Sequence, residues 1–190
     1  MTTTDRRYSS QSGFSSIEVM FALGVFGVLA GVAVSQTTAA RPGVKADAGM
    51  RAVLSQIYQA RQLAIAERHN MRLTFTNGNE VVIMREERPG GAFTVVSTVT
   101  IAGGSRFVLV NGVPDTPDAF GNTSAVAFGV ASEVKFSADG QLINQNGSTI
   151  NGSVFVALPN EALSARAVTV LGSTGRVLGY KWNGRNWKQT

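Results

Sequence analysis

The sequence contains no cysteine and one histidine, His69, in 190 residues. Disulfides, thiolate metal sites and cysteine nucleophiles are therefore excluded. The lack of cysteine leaves the compartment open, because an exported bacterial domain can do without disulfides. Charged residues are sparse at 15% and aromatic residues amount to 8%. No G-x-S-x-G, Walker A or H-E-x-x-H pattern occurs, so an enzyme, a bound cofactor and a metal are not expected. His69 stands where a helix should end and reads as a complement to the helix dipole. Asp115 and Asp118 in the 112–132 stretch could meet calcium, but two carboxylates fall short of the six or more oxygens it takes.

Net charge is +5 and is unevenly spread. Residues 41–114 hold nine Lys/Arg against five Asp/Glu, and 115–161 hold Lys135 against five acids. Residues 162–190 hold Arg166, Arg176, Lys181, Arg185 and Lys188 and no acid. Such a basic end beside an acidic middle can steer partners, or can be a solvated surface.

Long apolar runs are absent except for one. Val19–Val34 is unbroken over sixteen residues, preceded by a polar stretch with Asp5, Arg6 and Arg7. Taken as one helix, residues 14–40 would be about 40 Å long at ~1.5 Å per residue. That is enough for a hydrocarbon core of about 30 Å. Pro42-Gly43 then predicts a break or kink. A cleaved secretory signal with Gly31-Val32-Ala33 as its small-residue site is one reading. A plain signal anchor is another. Neither accounts for Glu18, since a carboxylate in a span is a functional hypothesis that needs a partner. A third reading supplies one. A cut after Gly13 would give Phe14 a new positive amine, Glu18 would become the fifth residue, and the two groups could pair between neighbouring helices and fix their register. Gly24, Gly27 and Gly31 along this helix suit close helix approach or bending, or are merely tolerated in a membrane helix.

Gly13-Phe14-x-x-x-Glu18 followed at once by an apolar helix resembles the processing site of type IV pilins and type II secretion pseudopilins. The resemblance implies cleavage after Gly13 by a prepilin peptidase, N-methylation of Phe14, and a role for Glu18 in subunit addition to a helical filament. It implies a leader over 1–13, an inner-membrane and filament-core helix over 14–40, and a periplasmic domain over 41–190.

The rest of the chain reads as α+β, a long N-terminal hydrophobic helix forming a spine for a C-terminal antiparallel β-sheet domain. Met50, Val53, Leu54, Ile57, Ala60, Ala64 and Ile65 predict a second helical stretch over about 46–70, continuing the spine beyond the Pro42 break. Arg72–Thr76 and Glu80–Met84 flanking Asn77-Gly78-Asn79 predict a hairpin. Further strands are expected near 93–101, 105–111, 133–137, 153–158, 166–171 and 176–182. Turns are expected at Gly103-Gly104-Ser105, Asp139-Gly140, Ser173-Thr174-Gly175 and Asn183-Gly184. Glu86-Glu87 beside Arg85 and Arg88 reads as a solvated hairpin end, and 112–132 as a long loop.

Tyr58 to Ala66, Val134 to Gly140, and Arg166 to Leu171 closing in Gly175-Arg176-Val177 are similar to stretches of the GspH/FimT group of minor pilins and pseudopilins. That resemblance implies two β-sheets packed on the helix and a minor component near a filament tip. Its partners would be other subunits of a type II secretion system or a type IV pilus, and its function would be assembly. Two alternatives stand beside it. Some members of the FimT branch capture DNA through a basic C-terminal Gly-Arg-x-Arg motif. Here Gly175-Arg176-Val177-Leu178 and Gly184-Arg185-Asn186-Trp187 both leave it incomplete, although Arg176, Lys181, Trp182, Arg185 and Lys188 interleave cations with aromatics as a nucleic-acid surface would. In the other alternative the chain is an unrelated membrane-anchored β-rich binding domain and the Gly-Phe-Glu pattern is chance.

Overall fold

The computed structural model describes residues 14–87, 91–129 and 133–190, and the side chains of all of these but 32–41. The chain forms two compact units, Met1–Ala40 and Arg41–Thr190. One α-helix, α1, is assigned over Ser16–Glu67. Its first turn opens with the Ser15 carbonyl accepting from the amides of Glu18 and Val19.

Of the break or kink expected at Pro42-Gly43, the break does not occur: α1 is helical through Pro42. Proline removes one ladder hydrogen bond and crowds the preceding turn. The residues just after it are held from outside the helix, by Arg166 Nη2 donating to Gly43 O at 3.2 Å and Arg166 Nε donating to Asp47 Oδ1. The helix ends at Glu67 with Arg68 in the left-handed region, φ 54°.

In the 41–190 unit, α1 is followed by two antiparallel sheets. The first contains β1 (Met71–Thr76), β2 (Glu80–Glu86), β3 (Phe93–Thr100), β6 (Glu133–Phe136) and β7 (Leu142–Ile143), in the order β3-β2-β1-β6-β7. The second contains β4 (Arg106–Phe107), β5 (Val126–Ala127), β8 (Gly152–Ala157), β9 (Arg166–Leu171), β10 (Arg176–Trp182) and β11 (Trp187–Gln189). Its order is β11-β10-β9-β8-β4, with β5 also on β8. The hairpin predicted from Arg72–Thr76 and Glu80–Met84 forms as β1–β2, with Thr76 opposite Glu80. So do β9–β10, with Arg176 opposite Leu171, and β10–β11, with Trp182 opposite Trp187.

One face of α1 carries the helical stripe. Met50, Val53, Ile57, Ala60 and Ala64 are buried in a single core with Leu73, Phe75 and Ile83 of the first sheet and Val154, Val156, Val168 and Val170 of the second. β1 alternates, burying Met71, Leu73 and Phe75 and leaving Arg72, Thr74 and Thr76 half-buried. Arg61 of α1 ties the two sheets together. Its Nε donates to Gly140 O in the β6–β7 turn at 3.1 Å, and its Nη2 donates to Thr174 O in the β9–β10 turn at 3.0 Å. Tyr58 one turn earlier donates to Val177 O at 3.1 Å.

The second sheet is buried on both faces, and this changes the reading of the loops. All six residues of β8 are buried. The face away from α1 carries Phe155, Ala167 and Tyr180, then Ala157, Ala165 and Trp182, covered by Val108, Leu109, Val110 and Val113. The strand expected over 105–111 is therefore only Arg106–Phe107. Residues 108–113 continue as a strap that packs by side chains. The 112–132 stretch is likewise not a plain loop. It contributes β5, and it sends Phe128 into the core, stacked on Phe75 with ring centroids 5.7 Å apart.

Candidate functional site

Three places carry the residues singled out from the sequence. The first is the start of α1. Every described side chain from Phe14 to Gly31 is exposed, Phe14 at 83%, Met20 at 72% and Phe21 at 75% among them. A helix that is apolar all round belongs in lipid or among other apolar helices. Glu18 is the one charged residue on it, in the first turn, where the helix dipole favours an acid. Among the described residues no cation lies within ion-pair distance of Glu18. Gly24, Gly27 and Gly31 have no neighbour within 4 Å of where a Cβ would stand. Gly13 lies outside the described residues. Among the described residues no helix is long and apolar enough to cross a membrane. The described side chains stop at Gly31, while the apolar run in the sequence goes on to Val34.

The second place is the C-terminal hairpin, where the structure separates the residues that the sequence brings together. Trp182 is 7% exposed and packs with Ala157, Ala165 and Trp187, so its ring has little face to offer a base. Trp187 is half-buried and donates from Nε1 to Pro114 O at 2.9 Å. Arg176, Lys181, Arg185 and Lys188 are exposed. Lys181 and Lys188 stand directly opposite each other and share a face. Arg176 begins β10 on the other face, five residues or about 17 Å away, and Arg185 is at the tip. Lys181 Nζ pairs with Asp47 Oδ2 at 3.2 Å.

The third is the acidic stretch. Asp115 closes its own loop, accepting from the amides of Thr116 (2.7 Å) and Gly121 (2.9 Å). Asp118 accepts from Thr169 Oγ1 (2.6 Å) and Tyr180 Oη (3.0 Å), which pins the 108–121 strap to β9 and β10. Burial and then this carboxylate push the Tyr180 phenol up. The two carboxylates considered for calcium are thus spent on separate structural duties. Among the described residues no three His, Asp or Glu side chains stand together as a metal site. His69 stands two residues beyond the end of α1, with its Nδ1 3.0 Å from Glu86 O. Glu86 pairs with Lys135 and Glu87 with Arg85, and Arg88 lies outside the described residues.

The sequence did not single out the densest polar cluster, around Arg166. Its fully buried guanidinium donates to Asp47, to Gly43 O, to Leu163 O (3.0 Å) and to Ala165 O (2.9 Å). An arginine opening a β-branched strand reads as a surface residue, so only the structure exposes this role.

No protein-family model matches the chain, and no curated protein matches it. Among solved structures, two crystal forms of the Pseudomonas aeruginosa type IV minor pilin FimU are similar to it, each at 10% identity over 76% of this chain. They have TM-scores of 0.49 and 0.48 and are covered over 92% and 98% of their own length. A likeness at that level carries no argument for a shared fold or function.

Proposed function

We propose that the chain is a membrane-anchored subunit of a pilus-like filament, a minor pilin or pseudopilin of a type IV pilus or type II secretion system. The observation that carries this reading is the start of α1, an exposed helix apolar on every side with one acid, Glu18, in its first turn. Packing such helices side by side buries the apolar surface, and about 25 cal/mol per Å² of it drives the association outside lipid. Within lipid the contribution shifts to van der Waals packing and polar pairing. An unpaired carboxylate would oppose burial. A prepilin peptidase cutting between Gly13 and Phe14 would supply the cation, because the Phe14 amine keeps its charge when methylated. The pair would select one register between neighbours.

In this reading residues 1–13 are the leader and 14–40 hold the chain in the inner membrane before assembly. The 41–190 head lies in the periplasm and chooses neighbouring subunits, with a place near the filament tip. In this reading the role of the head is contact. The DNA-capture reading is less well supported. The cations of the C-terminal hairpin lie on two faces and a tip, and Trp182 packs inside.

The test is the intact mass and N-terminal sequence of the membrane-bound protein, with and without active prepilin peptidase. A methylated Phe14 start that depends on the peptidase is expected. Glu18→Ala should still be processed but should drop out of filaments. A start near Val34, or an uncut Met1 with the peptidase present, would overturn the proposal and leave an anchored or secreted β-rich domain.

A further inference from the structure

The two sheets end in four strands, and three of these are short. β4 has two residues, and β11 has three with Lys188 in the middle. β7 has two, and Thr149 bridges to Ile143 on it. The fourth end is β3, eight residues long, with no charge, proline or glycine from Phe93 to Thr100. Short length, charges and prolines are what keep a sheet edge from pairing with another chain, and β3 has none of them.

The ladder with β2 shows which backbone groups of β3 are left over. Ile101 N donates to Asn79 O at one end of the strand, and Glu87 N donates to Ala92 O at the other. With the register of the ladder, these bonds make Thr94, Ser97 and Val99 the residues bonded to β2. Phe93, Val95, Thr98 and Thr100 therefore turn their N–H and C=O groups away from it. Among the described residues no strand lies beyond β3, and no backbone bond from another element reaches these four. Val95 is 58% and Val96 39% exposed, and Thr94, Thr98 and Thr100 are exposed too. Val96 has no partner in β2 and forms a bulge. Two residues, not one, thus separate the outward Val95 from the outward Thr98.

That interval selects the occupant. A row of outward N–H and C=O groups is complemented by another strand. A regular strand turns such groups outward at every second residue, so it fits β3 on one side of the bulge only. A second copy of β3 carries the same interval. Run antiparallel about a two-fold axis between Val96 and Ser97, it sets Phe93 opposite Thr100 and Val95 opposite Thr98, outward residue to outward residue. Thr94 then faces Val99, and Val96 faces Ser97. No charge meets a like charge, and the facing side chains are mostly the β-branched kind that stabilises cross-strand pairs. We infer that β3 is a homotypic docking edge, by which two copies of the head join their five-stranded sheets edge to edge. The pair uses both edges and so closes at two. This goes beyond the anchored-subunit reading and does not rest on it. A two-fold axis normal to the sheet reverses the stretch of α1 packed on that sheet. Within that reading the paired heads therefore belong to different fibres, since neighbours along one fibre have helices that run the same way.

The 41–190 fragment has its core entirely within itself and serves for the test. Sedimentation equilibrium over a range of concentrations should show monomer and dimer and nothing larger. A contact through one strand is small, so the dimer should be weak and should fill only as concentration rises. As it fills, the amides of Val95, Thr98 and Thr100 should gain protection from hydrogen exchange. Those of Ser97 and Val99, already bonded to β2, should change little. Thr98→Lys places a charge on the edge, and Thr98→Pro removes an N–H that the monomer leaves unused. Each should weaken the dimer about tenfold or more, with the melt of the monomer kept within a few degrees. The lysine variant decides alone if the proline unfolds the strand. Gln189→Lys, on the β11 edge, should leave the dimer unchanged. A head still monomeric at about 1 mM, the weak end of specific binding, overturns the inference. So does a dimer that survives Thr98→Lys, or one lost equally with Gln189→Lys. Growth into larger species overturns it as well, because an isologous pair is closed.

Discussion

Arg166 is the residue whose chemistry the fold depends on most visibly. A buried guanidinium is tolerable only with its donors satisfied. Here one carboxylate and three carbonyls do so, from α1, the 3-10 turn and the β9 start. Burial pushes the Asp47 carboxyl up, but hydrogen bonds from Arg166 and Lys181 outweigh it and hold its pKa below the usual range. A depressed carboxylate pKa adds stability that is present above the unfolded value and is lost as pH falls through the folded one. The head should therefore lose stability as pH drops below about 4. Glu86, also held low, adds to the same slope: burial raises it, and Asn70 and Lys135 lower it more. Asp47→Asn should cost about 2 kcal/mol at neutral pH, less than a fully buried broken pair because Asp47 is partly exposed. It should also flatten part of the acid slope. Urea unfolding of 41–190 across pH measures both, and an unchanged slope would show that Asp47 does not carry it.

At the scale of elements, the turns decide how the two sheets meet. Gly175 has φ 63°, and a Cβ there would run into Gly140 O and the Arg61 side chain. Gly78 in the β1–β2 turn has φ 72° but open space around it. Both substitutions by alanine incur the left-handed penalty of about 1 kcal/mol. Only Gly175→Ala should also dislodge the Arg61 clamp, for a total of about 3 kcal/mol. Equal losses in thermal melts would refute the clamp. The same elements show what was legible in the sequence. The helical stripe from Met50 to Ala64, the Asn77-Gly78 hairpin and the β9–β10 hairpin could be read because each repeats its period several times. The two-residue strands β5 and β7 and the three-residue β11 have no period to read. The apolar run over 107–110 looks like a strand because it is buried on one side, but what it covers is a second sheet face that sequence does not reveal. Pro42 failed as a helix end because contacts from Arg166, 123 residues away from Gly43, outweigh local propensity. The candidate site followed the same rule. Glu18 stood out because an acid in an apolar run is a local anomaly. At the C-terminus, alternation puts Arg176 and Lys181 on opposite faces of β10 and turns Trp182 inward.

For the whole molecule, the division of labour follows from where apolar surface is buried. Every member of the three core clusters lies in 41–190, while the described side chains of 14–31 are exposed. The head therefore has its stability in hand, and the N-terminal helix has an unmet need for apolar company. Deleting residues 1–40 tests this directly. The cut places Pro42 in the first turn of the shortened helix, where its missing N–H would be unpaired in any case and its fixed φ suits a helix start. The Arg166 contacts to Gly43 and Asp47 remain to hold that turn. The fragment should thus be soluble without detergent and should melt within a few degrees of the full chain in micelles, where a loss of 1 kcal/mol would shift the midpoint by only about 2–4 °C. A drop of ten degrees or more would mean that the head draws stability from the first 40 residues, and the separation between an assembling helix and a self-sufficient head would have to be abandoned.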